Sequence, residues 1–267
     1  MFDAVHMQRS EGVARVALSG GRLVELSQSG SAKALLPRCH GARPEIVFLN
    51  TSGGLTAGDR LDYRVDLGPS TRATATTQTA ERAYRAEGVS AQARVTLSVA
   101  AGGMLDWLPQ ETILFDGASL DRETVVDLAE NASFLGLETI VLGRAAMGET
   151  VSRLSLSDRR IIRRAGRIEV FDPFRLDDSS LARGNAPALL QGARAIAVLI
   201  LSAPGAEVQL PALRAALTEP DVTAAASALP GRVVLRAHAP DAWPLRRQMM
   251  RLIETLRPGA LPRVWQS

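Results

Sequence analysis

Over its first two thirds the chain is a succession of short alternating apolar and polar runs, cut by Gly, Pro, Asn or Asp roughly every 8–12 residues. Leu61-Asp62-Tyr63-Arg64-Val65-Asp66-Leu67 alternates and stops at Gly68-Pro69, and Arg122 to Leu128 ends at Glu130-Asn131. A period of two puts successive side chains on opposite faces, so each run reads as a half-buried strand too short to be stable alone. The same pattern covers residues 13–18, 22–26, 71–79, 94–99, 104–108, 113–115, 154–157 and 167–171. It predicts an all-β stack, open between sandwich and solenoid, with no fixed-length repeat visible. Residues 79–87 can be read as a helix. Residues 131–142 are read as strand, because Ile140-Val141-Leu142 runs into Gly143.

From about residue 190 the pattern changes. Ala195 to Leu201 reads as a buried strand, 210–218 as a short helix ended by Pro220, and 222–237 as a hairpin turning at Pro230-Gly231. Trp243 to Leu256 carries Leu245, Met249, Leu252, Ile253 and Leu256 at helical spacing, with Asp241 as N-cap and Pro258-Gly259 as stop. The Asp-, Ser-, Gly- and Asn-rich stretch 176–191 is the expected boundary. It divides a β-rich body, 1–190, from a small α/β C-terminal module, 191–267, or the two run on as one continuous domain.

Composition narrows the function classes. A hydrophobic content of 46% with 22% charged residues belongs to an ordinary soluble globular protein. No stretch has the roughly 18 uninterrupted apolar residues of a membrane span, and residues 1–17 lack the apolar core of a secretory signal. Cys39 is the only cysteine, which points to the reducing cytoplasm. Lys33 is the only lysine among 31 basic residues, so 30 are arginines, spread along the chain and mixed with Asp and Glu. Aromatics make up 4%, too few for base stacking, and no nucleic-acid binding is expected. An acidic protein partner suits this composition better.

The loop Asn50 to Asp59 invites a phosphate-binding reading, since Gly53 and Gly58 have Walker spacing. Asp59 stands where that motif needs lysine, and Arg60 where it needs a hydroxyl, so a nucleotide site is excluded. His6, His40 and His238 have no ligand-spaced partners. The adjacent Cys39-His40 pair could attract a soft metal, but neighbours in a strand point to opposite faces. Carboxylates are more informative: Asp59, Glu81, Asp106, Glu111, Asp116, Glu138, Glu149 and Asp172 sit at or near apolar strands. Asp116 in Phe115-Asp116-Gly117 reads as a turn former. Glu138, inside Leu135-Gly136-Leu137-Glu138-Thr139-Ile140, is costly to bury without a partner or a purpose.

Five segments in order resemble one family. They are Asn50-x-Ser52-Gly53-Gly54-x-x-x-Gly58-Asp59, Thr76-Thr77-Gln78-Thr79-Ala80-Glu81-Arg82-x-Tyr84-Arg85, Leu105 to Glu111, Leu142-Gly143-Arg144-x-Ala146-Met147-Gly148-Glu149, and Leu261-Pro262-Arg263-Val264-Trp265. Together they are similar to the urease accessory protein family UreD, called UreH in some bacteria; the stretch from Met1 to His40 matches only in general character. The resemblance implies a mostly β, helix-like stack with few α-helices and a non-catalytic scaffold that helps load nickel into apo-urease. It also implies partners, UreF, the GTPase UreG and apo-urease, and nickel held only transiently, with no tightly bound cofactor. A family-type nickel passage lined by acids would use Asp59, Glu138 and Asp172 here. Asp59→Ala and Glu138→Ala are then expected to leave folding intact and reduce urease activation. Two rivals remain: a hydrolase or transferase using Asp106 and Glu111, and a plain adaptor with no metal passage.

Overall fold

The computed structural model describes residues 9–38, 43–257 and 259–266, so His6, Cys39-His40 and Pro258 lie outside the described residues. The fold is mostly β, a solenoid of about four turns with three α-helices among the described residues. A hairpin, β1 (Glu11–Ser19) and β2 (Arg22–Gly30), opens the chain, followed by β3 (Ala32–Leu35) and β4 (Glu45–Asn50). The chain then winds through β5 (Arg60–Leu67), β6 (Arg72–Thr77), β7 (Glu81–Ala83), β8 (Ala91–Val99), β9 (Met104–Leu108) and β10 (Thr112–Leu114). Next come β11 (Ala118–Leu128), β12 (Ser133–Leu142), β13 (Leu154–Arg164) and β14 (Arg167–Asp177), then helix α1 (Asp178–Ala182). The last stretch is β15 (Ala195–Ser202), α2 (Leu210–Ala215), β16 (Thr223–Leu229), β17 (Arg232–Ala239) and α3 (Ala242–Leu256).

Each turn gives one strand to each of two facing sheets. The first has the order β14-β13-β11-β8-β5-β1-β2, the second β16-β17-β15-β12-β9-β6-β4-β3. From β1 through β5, β8 and β11 to β13 the neighbours run parallel, as do β4, β6, β9 and β12 in the other sheet. The coils differ in length. Arg60 lies beside Gln92, Ala91 beside Leu120, and Ala118 beside Leu154, a different separation along the chain each time. Unequal coils are why no repeat of fixed length is visible in the sequence. Short β7 and β10 pair with one another at a corner, and β10 also pairs with the end of β12.

Alternation determines which side chains face inward. In β5, Leu61, Tyr63, Val65 and Leu67 are buried; in β11 it is Ala118, Leu120, Arg122, Thr124, Val126 and Leu128. These rows meet the inward row of the second sheet in one apolar core that includes Phe48, Trp107 and Phe134. A second cluster lies on the other face of that sheet, where Leu135, Leu137 and Leu199 pack under α3 through Leu245, Met249, Leu252 and Ile253. Strand β12 is covered on both faces, which explains the near-continuous apolar run around Glu138. Helix α3 begins as expected, with Asp241 Oδ1 accepting the Trp243 N–H (2.8 Å). The helix read over 79–87 is corrected: Glu81–Ala83 is strand, because it finds its hydrogen bonds one coil away in β10, where Thr112 pairs with Glu81. No helix among the described residues is long and apolar enough to cross a membrane.

Candidate functional site

The inward faces of the two sheets are not wholly apolar. Register places Arg122 of β11 beside Asp158 of β13, and Arg160 of β13 beside Asp172 of β14. Opposite them, β12, β15 and β17 bring Glu138, Val198 and Arg236 into one row. The result is an alternating charge belt between the sheets. Glu138 Oε2 lies 2.9 Å from Arg122 Nη1, and its Oε1 accepts from Trp107 Nε1–H and from the Thr124 hydroxyl, both at 3.1 Å. Arg122 donates to both Asp158 oxygens, at 3.0 and 2.7 Å, and to the Thr112 hydroxyl at 2.9 Å. Arg160 links Asp158 to Asp172, the latter contact at 2.6 Å, and Arg236 closes the series on Asp172 at 2.5 Å.

Burial opposes charge on Asp158, yet the Arg122 and Arg160 guanidiniums outweigh it and hold the carboxyl below its usual range. Burial likewise opposes charge on Arg122, and Asp158 and Glu138 together push its pKa up. Three carboxylates and three guanidiniums leave the belt neutral as a set. Removing one partner from such a buried pair costs about 3–5 kcal/mol, because the other charge is stranded.

Three small cavities follow the belt. The first, about 70 Å³, is walled by Asn50, Glu81, Trp107, Arg122 and Glu138. The second, about 20 Å³, lies between Trp107, Glu138 and Arg160, and the third, about 70 Å³, between Glu138, Arg160, Asp172 and Arg236. Glu138 lines all three. Each exceeds the ~10–15 Å³ that a single water needs. Gln78, Thr79 and Gln110 line both the first cavity and a surface groove of about 820 Å³ beside α3. Thr79 has a φ of 57°, a left-handed conformation that a β-branched residue adopts only under strain, and such strain clusters at functional positions.

Of the three expected passage acids, Glu138 and Asp172 share a cavity; Asp59 lines none of the three. Asp59 is 4% exposed and closes its own turn, accepting the Ser10 N–H (2.7 Å) and the Thr56 N–H (2.9 Å). Elsewhere in its loop, Asn50 and Gly53 line the first cavity. Asn50 Nδ2 donates to both Glu81 oxygens, at 3.3 and 3.2 Å, while Asn50 Oδ1 accepts from Ser52. Gly54, at φ 150°, leaves room for the Tyr84 ring, which a Cβ would approach to 2.3 Å. Gly53 accepts the Tyr84 hydroxyl through its carbonyl (3.2 Å), and Gly58, at φ 76°, turns the chain toward Asp59. Arg144 and Glu149 hold a different corner: Arg144 pairs with Glu149 at 2.8 Å and lies 4.5 Å over the Phe115 ring. Asp106 and Glu111 do not form an acid pair. Asp106 binds Arg43 and Arg257, and Glu111 binds Arg246.

Glu81 is the wall acid that sequence reasoning noted but did not select. No ion pair to it appears among the described residues, and burial pushes its carboxyl up against the pull of the Arg82 N–H, the Asn50 amide and the Arg82 charge. Arg122, Asp158, Arg160 and Arg236 were missed as well. A signal existed for three of them, since Arg122, Asp158 and Arg160 occupy the inward phase of strands whose other inward residues are mostly Leu, Ile or Val. No group of three His, Cys, Asp or Glu side chains among the described residues could hold a metal ion.

A family profile described as UreD urease accessory protein matches residues 10–266. "Urease accessory protein UreD" of Paracoccus denitrificans (strain Pd 1222) is 60% identical over 269 residues, covering 100% of this chain and 96% of that protein. The protein of the same name from Cereibacter sphaeroides (strain ATCC 17025 / ATH 2.4.3) is 56% identical, covering 98% and 96%. That from Rhizobium leguminosarum bv. trifolii (strain WSM2304) is 44% identical, covering 97% and 96%. With a match that spans both sheets, the charge belt and α3, the chain belongs to the UreD family of urease accessory proteins.

Proposed function

We propose that this protein acts in the cytoplasm, in an assembly with UreF, the GTPase UreG and apo-urease, and passes Ni²⁺ through its interior without catalysis of its own. The observation that supports the passage is the position of Glu138, which walls all three cavities between Glu81 and Asp172. Carboxylates and water hold Ni²⁺ less firmly than thiolates and imidazoles do, so an acid-walled route can pass the ion without trapping it.

The competing reading is an adaptor with no metal passage. It draws on the arginine partners of Glu138 and Asp172, which already satisfy the acids a cation would need. Glu138→Gln separates the two, because through Oε1 it keeps the Trp107 and Thr124 contacts while removing the charge and the Arg122 ion pair, and Arg122 still has Asp158 as a partner. Urease is produced with all accessory proteins, and its nickel content and activity are measured beside recovery of the assembled complex. Conduction predicts that nickel loading falls roughly tenfold with the complex intact. Wild-type loading by Glu138→Gln and by Asp172→Asn, in an intact complex, leaves the adaptor.

A further inference from the structure

We infer that Arg236 is the built-in counter-cation of the passage's far mouth, occupying the position at Asp172 that a divalent ion must take to enter or leave. This rests on the passage reading above. Asp172 has two guanidinium partners with different freedom to move. Arg160 is buried, its side chain 8% exposed, and is tied to Asp158 as well. The Arg236 side chain is 61% exposed although its guanidinium reaches Asp172 Oδ1. Its neighbours across β17 are Val198 on one side and Ala225 on the other, which offer no second acid. Among the described residues Asp172 is its only ion-pair partner.

A guanidinium does not lose its proton at physiological pH, so Arg236 can vacate the site only by swinging out. Its exposure makes that movement open to solvent, whereas Arg122 and Arg160 have nowhere to go. With Arg236 withdrawn, the remaining belt of Glu138, Asp158 and Asp172 with Arg122 and Arg160 carries one uncompensated negative charge. That charge would face the third cavity, beside both Glu138 and Asp172. A doubly charged ion replaces a singly charged side chain, and return of Arg236 expels the ion. The far mouth is therefore neutral at rest and attracts cations only while open.

The test uses the full-length chain and Ni²⁺ alone, with equilibrium dialysis of wild type, Arg236→Gln, Arg236→Lys and Arg236→Gln/Asp172→Asn. Removing a competing charge within hydrogen-bond distance of the acid is expected to tighten Ni²⁺ binding roughly tenfold in Arg236→Gln. Arg236→Lys should bind as wild type does, and the double variant should lose the gain, which places the ion at Asp172. Wild-type affinity in Arg236→Gln, or a gain that survives Asp172→Asn, overturns the inference. Should Arg236→Gln not fold, Arg236→Ala and Arg236→Ala/Asp172→Asn carry the test. A roughly tenfold gain in Arg236→Ala that the double variant loses upholds the inference, and wild-type affinity in Arg236→Ala, or a gain that survives in the double variant, overturns it. The passage is judged separately by Glu138→Gln in urease loading: a drop there with no binding change at Arg236 retires the counter-cation and keeps the passage.

Discussion

Asp59 and Glu81 lie at two ends of one loop system, and their surroundings lead to opposite expectations. Asp59 accepts two backbone N–H groups and has no ion pair among the described residues, so truncation strands two donors. Asp59→Ala is expected to cost about 2 kcal/mol or more, read as an earlier urea midpoint, with Asp59→Asn between it and wild type. A midpoint equal to wild type would mean that the turn does not need the carboxylate. For Glu81 the sign runs the other way. Burial raises its folded pKa above the unfolded value of about 4.3, so its contribution is fully present below that pH and lost as pH rises through the folded pKa. Glu81→Gln should therefore gain thermal stability over wild type as pH goes from about 4 to 7. A gap that does not change with pH refutes this. Asp158, with its depressed pKa, contributes above the usual carboxylate range and is lost on acidification. At this scale the sequence marked Glu138 as costly to bury, and the cost is met by Arg122, Trp107 and Thr124. It left Asp59 open, because a carboxylate after glycines looks the same whether it caps N–H groups or waits for an ion.

Among the elements, β2 is the exposed one. Eight of its nine residues are exposed, Leu23, Val24 and Leu26 among them, and its outer edge pairs with nothing in the first sheet. A long apolar edge of this kind is a template for association with other chains. Val24→Lys is expected to raise the soluble fraction of the protein expressed alone, with little change in its unfolding midpoint. An unchanged soluble fraction would place the aggregating surface elsewhere. Strands such as β5 and β11 were legible because one face is buried and the other wet, the condition under which a period of two appears. Strand β12 was harder to read since α3 covers its second face. Strand β7 was misread because so short a segment shows no period, and its partner β10 is remote in sequence. Arg122, Asp158 and Arg160 were legible in principle, as polar residues in phase with apolar ones.

For the whole molecule, alternation alone predicts a stack of short strands, while its helix-like closure was expected only from the family resemblance and is what the fold has. Alternation reports which residues face inward, but not whether the next strand pairs parallel one coil later or antiparallel beside it. The cavities also depend on register between strands a full coil apart, which local pattern does not carry. The coil from Ala91 to Leu120 is shorter than the one from Ala118 to Leu154, yet both end in regular parallel ladders, so the sheets tolerate corners of different length. In a solenoid each coil is held by its neighbours, and loop closure grows only slowly with added residues. The corner of the longer coil, with Ala145 to Gly148 mostly exposed, is thus a natural place to splice a short reporter peptide. A ten-residue flexible tag between Ala146 and Met147 should shift stability by less than about 1 kcal/mol, as followed by thermal melting. If the tagged protein melts normally yet no longer supports urease maturation, that bend is where another subunit sits, and the tag has mapped it.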